Sequence, residues 1–390
     1  MKKLITLAAA GAMAVGALSA QAQVTLDGQL TAPEITAGNY ALIGKFTNPR
    51  GFGDYGFLSL YVANTPTKVF FFIGGTVQDN GNAFQLFLDV PGSAGVPVGT
   101  ALPAGAAGTS FGSMTAKLDL AADLALALRS EGTDFQVEGA SYTSGTVGTS
   151  AKLTSTAGVV AGTGAPQTLS SAATVGGFAA FAGARVAYRN SPDGKITTNP
   201  GAIPPNTAEL YGGVGSFGWE IELDRTAMGL ATGTPALTFF ALQNSGSGDF
   251  LSSDYLPSST PLTGNSGNVG GAATADFTTI AGRQAATVTL GASGVVLGTK
   301  AADAAAVGLS VYPNPADGAA TVAYTVGSRS EKVSIALTDL LGRQVQLLTN
   351  GLQSAGVRTQ KFDVAGVKAG TYLLRVQVGE KVATRKVVLL

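Results

Sequence analysis

Between residues 220 and 254 lie the five carboxylates best placed to do chemistry. Glu220, Glu222 and Asp224 alternate along one β-favouring run, and Asp249 and Asp254 follow in a Gly/Ser-rich stretch. On a strand, that alternation puts the three acids on one face and Trp219, Ile221 and Leu223 on the other. Two carboxylates facing each other across a cleft can hydrolyse a glycosidic bond, one protonating the leaving oxygen while the other attacks or activates water. Glu222 and Asp254 would be that pair. Adjacent acids on one strand face are also what an ordinary wetted sheet looks like, and this is the first expectation, with no catalytic residue assigned.

Other chemistries are closed by composition. The 390 residues include no histidine and no cysteine, which removes the usual general base, the usual transition-metal ligand and any disulfide. Gly108-Thr109-Ser110-Phe111-Gly112 fits the GxSxG elbow, but a serine there needs a histidine partner. Two GxGxxG strings, Gly51 to Gly56 and Gly213 to Gly218, run into predicted strands and open no helix that would hold a pyrophosphate, so they are expected as bulges or tight turns. Asp79-Asn80-Gly81-Asn82 offers oxygen ligands that would suit calcium, without EF-hand spacing, and is expected as a plain turn. No metal or other cofactor is expected.

For binding, aromatic faces matter, because sugar C–H groups pack on them. Trp219 is the only tryptophan, and its alternation with Ile221 and Leu223 predicts a core position. Tyr188, Tyr211 and Tyr255 fall near predicted strand ends or loops and, with Asp254, are the candidate ligand contacts.

The elements that must position these groups read as β throughout. Strands are predicted at Tyr40 to Phe46, Gly56 to Val62, Lys68 to Ile73, Ala83 to Asp89, Arg185 to Arg189, Gly218 to Asp224, Ala236 to Gln243 and Ala286 to Leu290, each bounded by Gly, Pro or Asn. The stretch from Met114 to Arg129 has a helix-like Ala and Leu content, yet Leu124, Leu126 and Leu128 alternate. A strand pair with Asp134 to Tyr142, turning at Ser130-Glu131-Gly132-Thr133, is the favoured reading. Gly145 to Gly177 is poor in large apolar residues and is expected as surface loops. The fold class is all-β: a large jelly-roll-like sandwich over residues 23–290, a small polar linker over 291–308, and a small immunoglobulin-like sandwich over 309–390.

Both ends carry targeting features. Lys2 and Lys3 precede an apolar stretch from Leu4 to Leu18, and Ala20-Gln21-Ala22 suits cleavage before Gln23, so residues 1–22 are expected to be a signal peptide and the mature chain to have no transmembrane segment. At the other end, Val311-Tyr312-Pro313-Asn314-Pro315-Ala316 is followed by Asp339-Leu340-Leu341-Gly342-Arg343, Ala369-Gly370-Thr371-Tyr372-Leu373-Leu374-Arg375-Val376 and Lys386-Val387-Val388-Leu389. In order, spacing and position this resembles the type A C-terminal sorting domain of the type IX secretion system. Pro313, Asn314, Pro315, Gly342, Arg343, Gly370, Tyr372 and Lys386 carry the resemblance. It implies passage through the periplasm to the surface of a Bacteroidetes-type bacterium or beyond, with the type IX machinery as partner. It also implies later removal of the tail, the cargo being released or attached to lipopolysaccharide.

A weaker similarity concerns the cargo. Val24-Thr25-Leu26-Asp27-Gly28, Phe84 to Asp89, Gly218 to Asp224 and Asp249 to Pro257 follow in the order of family 9-like carbohydrate-binding modules and related heme- or sugar-binding domains. The paired exposed tryptophans of a sugar clamp are missing, and there is no histidine for heme.

Charge divides the chain. Residues 309–390 carry 10 Lys and Arg against 5 Asp and Glu, net +5, whereas residues 4–308 carry 12 against 19, net −7. An acidic cargo argues against nucleic acid or an anionic membrane as partner. The leading expectation is a secreted or surface-attached, non-catalytic protein that binds an extracellular polysaccharide. An adhesin-like or matrix protein without a small ligand, and a glycoside hydrolase, are the alternatives.

Overall fold

The computed structural model describes residues 24–36, 39–46, 52–131, 134–142, 148–154, 160–169, 177–202, 212–258, 268–280, 282–291, 294–297, 307–327, 330–339, 343–364, 366–379 and 381–390. The signal segment, Tyr211 and Gly342 lie outside these residues.

One short helix, α1 (Ala32–Thr36), opens the described cargo. Thr31 and Glu34 form its capping box: Glu34 Oε2 accepts the Thr31 backbone N–H at 2.9 Å. The cargo strands follow as β1 (Ala41–Lys45), β2 (Gly56–Asn64), β3 (Lys68–Thr76), β4 (Ala83–Asp89), β5 (Leu124–Glu131), β6 (Asp134–Ser141), β7 (Thr149–Lys152) and β8 (Val160–Ala161). After them come β9 (Gln167–Thr168), β10 (Arg185–Tyr188), β11 (Gly218–Asp224), β12 (Ala236–Asn244), β13 (Phe250–Leu256), β14 (Gly270–Gly271), β15 (Ala286–Leu290) and β16 (Val295–Leu297). All eight predicted strands form, and β5 and β6 pair antiparallel from Leu124↔Ser141 to Glu131↔Asp134, as the alternating leucines required. Three segments read as loop or linker contain strand, and the first of them, Gly145 to Gly177, holds β7, β8 and β9. Phe250–Leu256 pairs with β12, and Val295–Leu297 extends the cargo sheet by pairing with β15.

The strands build two sheets. The first runs β1-β2-β3-β11-β10-β9, and the second runs β14-β13-β12-β4-β5-β6-β7, with β15, β16 and β8 branching from it. Between them Phe57, Leu60, Phe71, Ile73, Trp219, Ile221 and Leu223 of the first sheet meet Phe84, Leu86, Leu126, Leu128, Phe239 and Ala241 of the second.

Neither sheet keeps a fully wet outer face. The segment from Val96 to Ala122 lays Leu102, Phe111, Met114 and Leu118 over Phe87, Ala125 and Phe240 on the back of the second sheet. Leu30 and Tyr40 of the N-terminal segment cover Tyr61, Phe70 and Phe72 on the back of the first. Covered on both faces, β2 is buried throughout its nine residues, and all but Ser59 and Asn64 are apolar or glycine.

The tail adds β17 (Ser310–Tyr312), β18 (Ala319–Val326), β19 (Glu331–Thr338), β20 (Gln344–Gln353), β21 (Gly356–Asp363), β22 (Gly370–Val378) and β23 (Lys381–Leu389). These form a β17-β18-β21 sheet and a β20-β19-β22-β23 sheet around Val322, Tyr324, Ile335, Leu337, Leu374, Val376 and Val387. In β18 and β19 interior positions alternate with half-exposed ones, as a sandwich with one wet face per sheet requires.

Candidate functional site

The five carboxylates do not converge. Glu220, expected on a solvated face, is fully buried. Its Oε2 accepts the backbone N–H groups of Asp27 at 2.7 Å and Gly28 at 2.8 Å, and its Oε1 accepts the Tyr40 hydroxyl at 2.9 Å. Burial pushes this carboxyl up to about 8, although all three donors pull it down. Glu222 is also buried and pairs with Arg185 Nη1 at 3.1 Å and Lys68 Nζ at 3.6 Å. Asp224 sits at a turn, where the N–H of Ala227, then Lys68, hold it below the usual carboxylate range.

Asp249 binds the Ser245 hydroxyl at 2.5 Å and the Ser247 hydroxyl at 2.8 Å, which lower its pKa and shape its loop. Asp254 is buried, and its Oδ2 accepts the Phe57 N–H of the opposing sheet at 2.9 Å. The close approach fixes the residue before it, because a Cβ on Gly56 would stand 1.9 Å from that oxygen. Glu222 therefore points out from the first sheet while Asp254 reaches that sheet from its inner side. The pair considered for glycoside hydrolysis shares no cleft.

The aromatic candidates are interior as well. Trp219 is fully buried, as its alternation predicted. Tyr188 and Tyr255, expected at the rim, are 0 % and 1 % exposed. The Tyr188 hydroxyl accepts the Val77 N–H and donates to Asn190, both at 3.0 Å, and its ring meets Phe135 edge-on at 4.5 Å. Tyr255 packs on Phe240 and Phe277. Both tyrosines lie on strands, Tyr188 facing the core between the sheets and Tyr255 the roofed back of the second sheet, so neither meets solvent. Of the candidate ligand contacts, Tyr188, Tyr255 and Asp254 are thus core groups and not the rim residues expected, and Tyr211 lies outside the described residues. Aromatic surface is found at the rim instead, where Phe52 and Phe250 stack at 6.3 Å with Phe250 41 % exposed.

Ser110 of the GxSxG string is buried and tied to Glu138, whose Oε2 accepts its N–H at 2.6 Å and its hydroxyl at 2.7 Å. Gln85 Nε2 reaches the Ser110 carbonyl at 2.9 Å. Arg129 Nε lies 2.8 Å from Glu138 Oε1, a charge contact without hydrogen-bond alignment. Burial raises the Glu138 pKa against these donors. This network fastens the 105–114 loop to the back of the second sheet. Sequence reasoning missed it, since no local pattern marks Glu138 as buried.

Both GxGxxG strings are turns with left-handed glycines, Gly53 and Gly56 in one and Gly215 in the other. The Asp79 to Asn82 turn is held by Asn82 Nδ2 on Gln78 Oε1 and is tied to β5 by Gly81 N–H on Ser130 Oγ, both at 2.7 Å. Among the described residues no three His, Cys, Asp or Glu side chains gather as metal ligands.

In the tail the structure brings Asn314 and Lys386 of the motif together. The Asn314 side chain behaves as a piece of strand: its Nδ2 donates to the Lys386 carbonyl and its Oδ1 accepts the Val388 N–H, each at 2.8 Å. Ala316 continues the pairing with Val388 and Leu390. Pro313 and Pro315, which have no N–H to offer, bracket the crossing from one sheet to the edge of the other. Arg343 closes its turn on Asp339, with Nε to Oδ2 at 3.0 Å, and the Tyr372 hydroxyl holds the Lys368 carbonyl at 2.7 Å. Residues 310–390 match the secretion system C-terminal sorting domain family. This tail marks the chain for export by the type IX secretion system, to the cell surface or into the medium. No helix among the described residues is long and apolar enough to cross a membrane.

No curated protein matches the chain. Among solved structures it is similar to dimeric latent PorU from Porphyromonas gingivalis, at 12% identity and a TM-score of 0.19, over 90% of this chain and 34% of that one. The chain thus spans about a third of that protein's length.

Proposed function

We propose that the exported cargo is a non-catalytic structural or adhesive module of the cell surface or its matrix, working through its loop surfaces and not through an enclosed site. The observation carrying this reading is the use to which the reactive side chains are put: Glu220, Asp254, Tyr188 and Tyr255 are buried holding backbone or packing aromatic rings. A carboxylate occupied by backbone N–H groups inside a core has no path to a glycosidic oxygen. The test is adhesion and self-assembly of the secreted chain, measured beside hydrolysis of a polysaccharide panel. Cell or matrix binding without released reducing ends supports the reading, and reducing ends that disappear in Glu222→Gln or Asp254→Asn would overturn it.

Polysaccharide binding stands as a second reading because of the Phe52 and Phe250 stack at the rim, where an apolar sugar face has access to aromatic surface. Saturable, sugar-competed glycan-array binding that Phe250→Ala abolishes would favour it over the structural role.

A further inference from the structure

The two outer faces of the tail differ in charge. In the β20-β19-β22-β23 sheet, Val333, Ile335, Leu374, Val376 and Val387 point inward. The register then sets Lys332, Ser334, Arg375, Gln377 and Lys386 on the outer face, with Asn350 opposite Ser334 and Leu352 opposite Lys332. Lys332, Arg375 and Lys386 are exposed, and no Asp or Glu shares this face among the described residues. Leu347 and Leu352 stand beside the cations at 49 % and 76 % exposure. A hollow of about 250 Å³ opens beside Lys332, lined also by Ser334, Asn350, Gln377 and Gly379. Glu331 shares the inward parity of β19, and its Oε2 lies 2.7 Å from where a Cβ on Gly379 would stand. On the outer face of the other sheet Lys361 is offset by Asp363, so the charges there are mixed.

We propose that this cationic face is the docking surface by which the tail is read during export, its occupant being an acidic protein surface of the export machinery. The proposal rests on the export reading and deepens it. Charge complementarity selects the occupant. Among the described residues no carboxylate pairs with these three cations, which call for carboxylates, and around Lys332 the hollow adds a hydroxyl and two carboxamides, a donor set that fits one inserted carboxylate. Leu347 and Leu352 give the contact an apolar margin, as interfaces ringed by charge commonly have.

The test compares four full-length chains in the native host: wild type, a deletion of residues 309–390, Lys332→Glu/Arg375→Glu/Lys386→Glu, and the control Lys361→Glu/Lys368→Glu/Arg385→Glu, which changes net charge equally off this face. The face variant should accumulate in the periplasm with export down at least tenfold, while the control is exported like wild type. The charge-neutral Lys332→Gln/Arg375→Gln/Lys386→Gln should also fail, and resistance of both face variants to limited proteolysis separates lost docking from lost folding. Normal export of the protease-resistant face variants, or equal failure of the control, overturns the proposal. Export of the deletion variant would sink the export reading itself. A wild-type dimer in light scattering, or capture by anionic vesicles, abolished in the face variant while export persists, would assign the face to a second copy or to lipid and also overturn it.

Discussion

Glu220→Gln tests how the cargo is held together. In the folded chain burial keeps the Glu220 carboxyl protonated up to about pH 8, whereas its ordinary value is 4.5. Between those two pH values the folded state holds a proton that the unfolded state has lost, so stability falls as pH rises. The slope approaches about 1.4 kcal/mol per pH unit and the sum across the window is about 4–5 kcal/mol. Glutamine mimics the protonated acid: its carbonyl can accept the Asp27 and Gly28 N–H groups, and its amide faces the Tyr40 oxygen. The variant should match wild type near pH 4.5 and then gain on it steadily, by about 4 kcal/mol between pH 5 and 8. Urea titration of the mature full chain, followed by Trp219 fluorescence, is the assay. Trp219 is the only tryptophan, is buried, and is the chain neighbour of Glu220, so it reports this sandwich and not the tail. Asp123, raised to about 6 by burial, and Glu138, raised likewise, add slope of the same sign, but they are common to both proteins and cancel in the difference. A difference curve flat to within about 0.5 kcal/mol from pH 5 to 8 would refute the assignment.

Three further outcomes are expected. Gly56→Ala should destabilise the cargo by about 3 kcal/mol or more in the same titration, because the new methyl meets Asp254 Oδ2 at 1.9 Å and the backbone holds φ at +131°. Glu138→Ala should cost about 2–4 kcal/mol by stranding the Ser110 N–H and hydroxyl beside Arg129, and limited proteolysis should then cut first within residues 105–114. Asn314→Ala removes both side-chain bonds to β23 and should cost the tail about 1–2 kcal/mol, read as faster hydrogen exchange at Val388 with the cargo unchanged.

The strands were legible because β2, β3, β4, β11 and β12 combine β-branched and aromatic residues with sharp Gly, Pro or Asn boundaries. Trp219 was legible for the same reason, its parity with Ile221 and Leu223 leaving it one side to face. Glu220 was not. Its parity correctly gave the opposite face, but that face is wet only if nothing covers it, and the cover comes from Asp27, Gly28 and Tyr40, some 180 residues away along the chain. Phe250–Leu256 was missed because Ser252, Ser253 and Asp254 interrupt its apolar pattern, and their place in a strand is earned by contacts such as Asp254 with Phe57. Tyr255 was hidden by the same kind of cover, and Tyr188 by the facing sheet. Their sequence neighbourhood announces a strand end, whereas the segments that enclose them come from elsewhere in the chain.

A physical economy links the missing cysteines to the misplaced acids. An exported chain without disulfides has to hold its long irregular segments by packing and hydrogen bonds alone. Each roof over a sheet brings backbone N–H groups that need partners once water is excluded. A buried carboxylate is an acceptor able to take several at once: Glu220 takes two backbone N–H groups and a phenol, Glu138 an N–H and a hydroxyl, and Asp254 an N–H of the facing sheet. Glu220, Glu138 and Asp254 are therefore fasteners in a chain without disulfides. In the tail the described apolar core draws only on residues 307–389, and the side chains that tie distant strands, Asn314, Tyr324 and Thr338, are neutral. Removal of the tail would thus leave every one of the cargo's carboxylate fasteners in place.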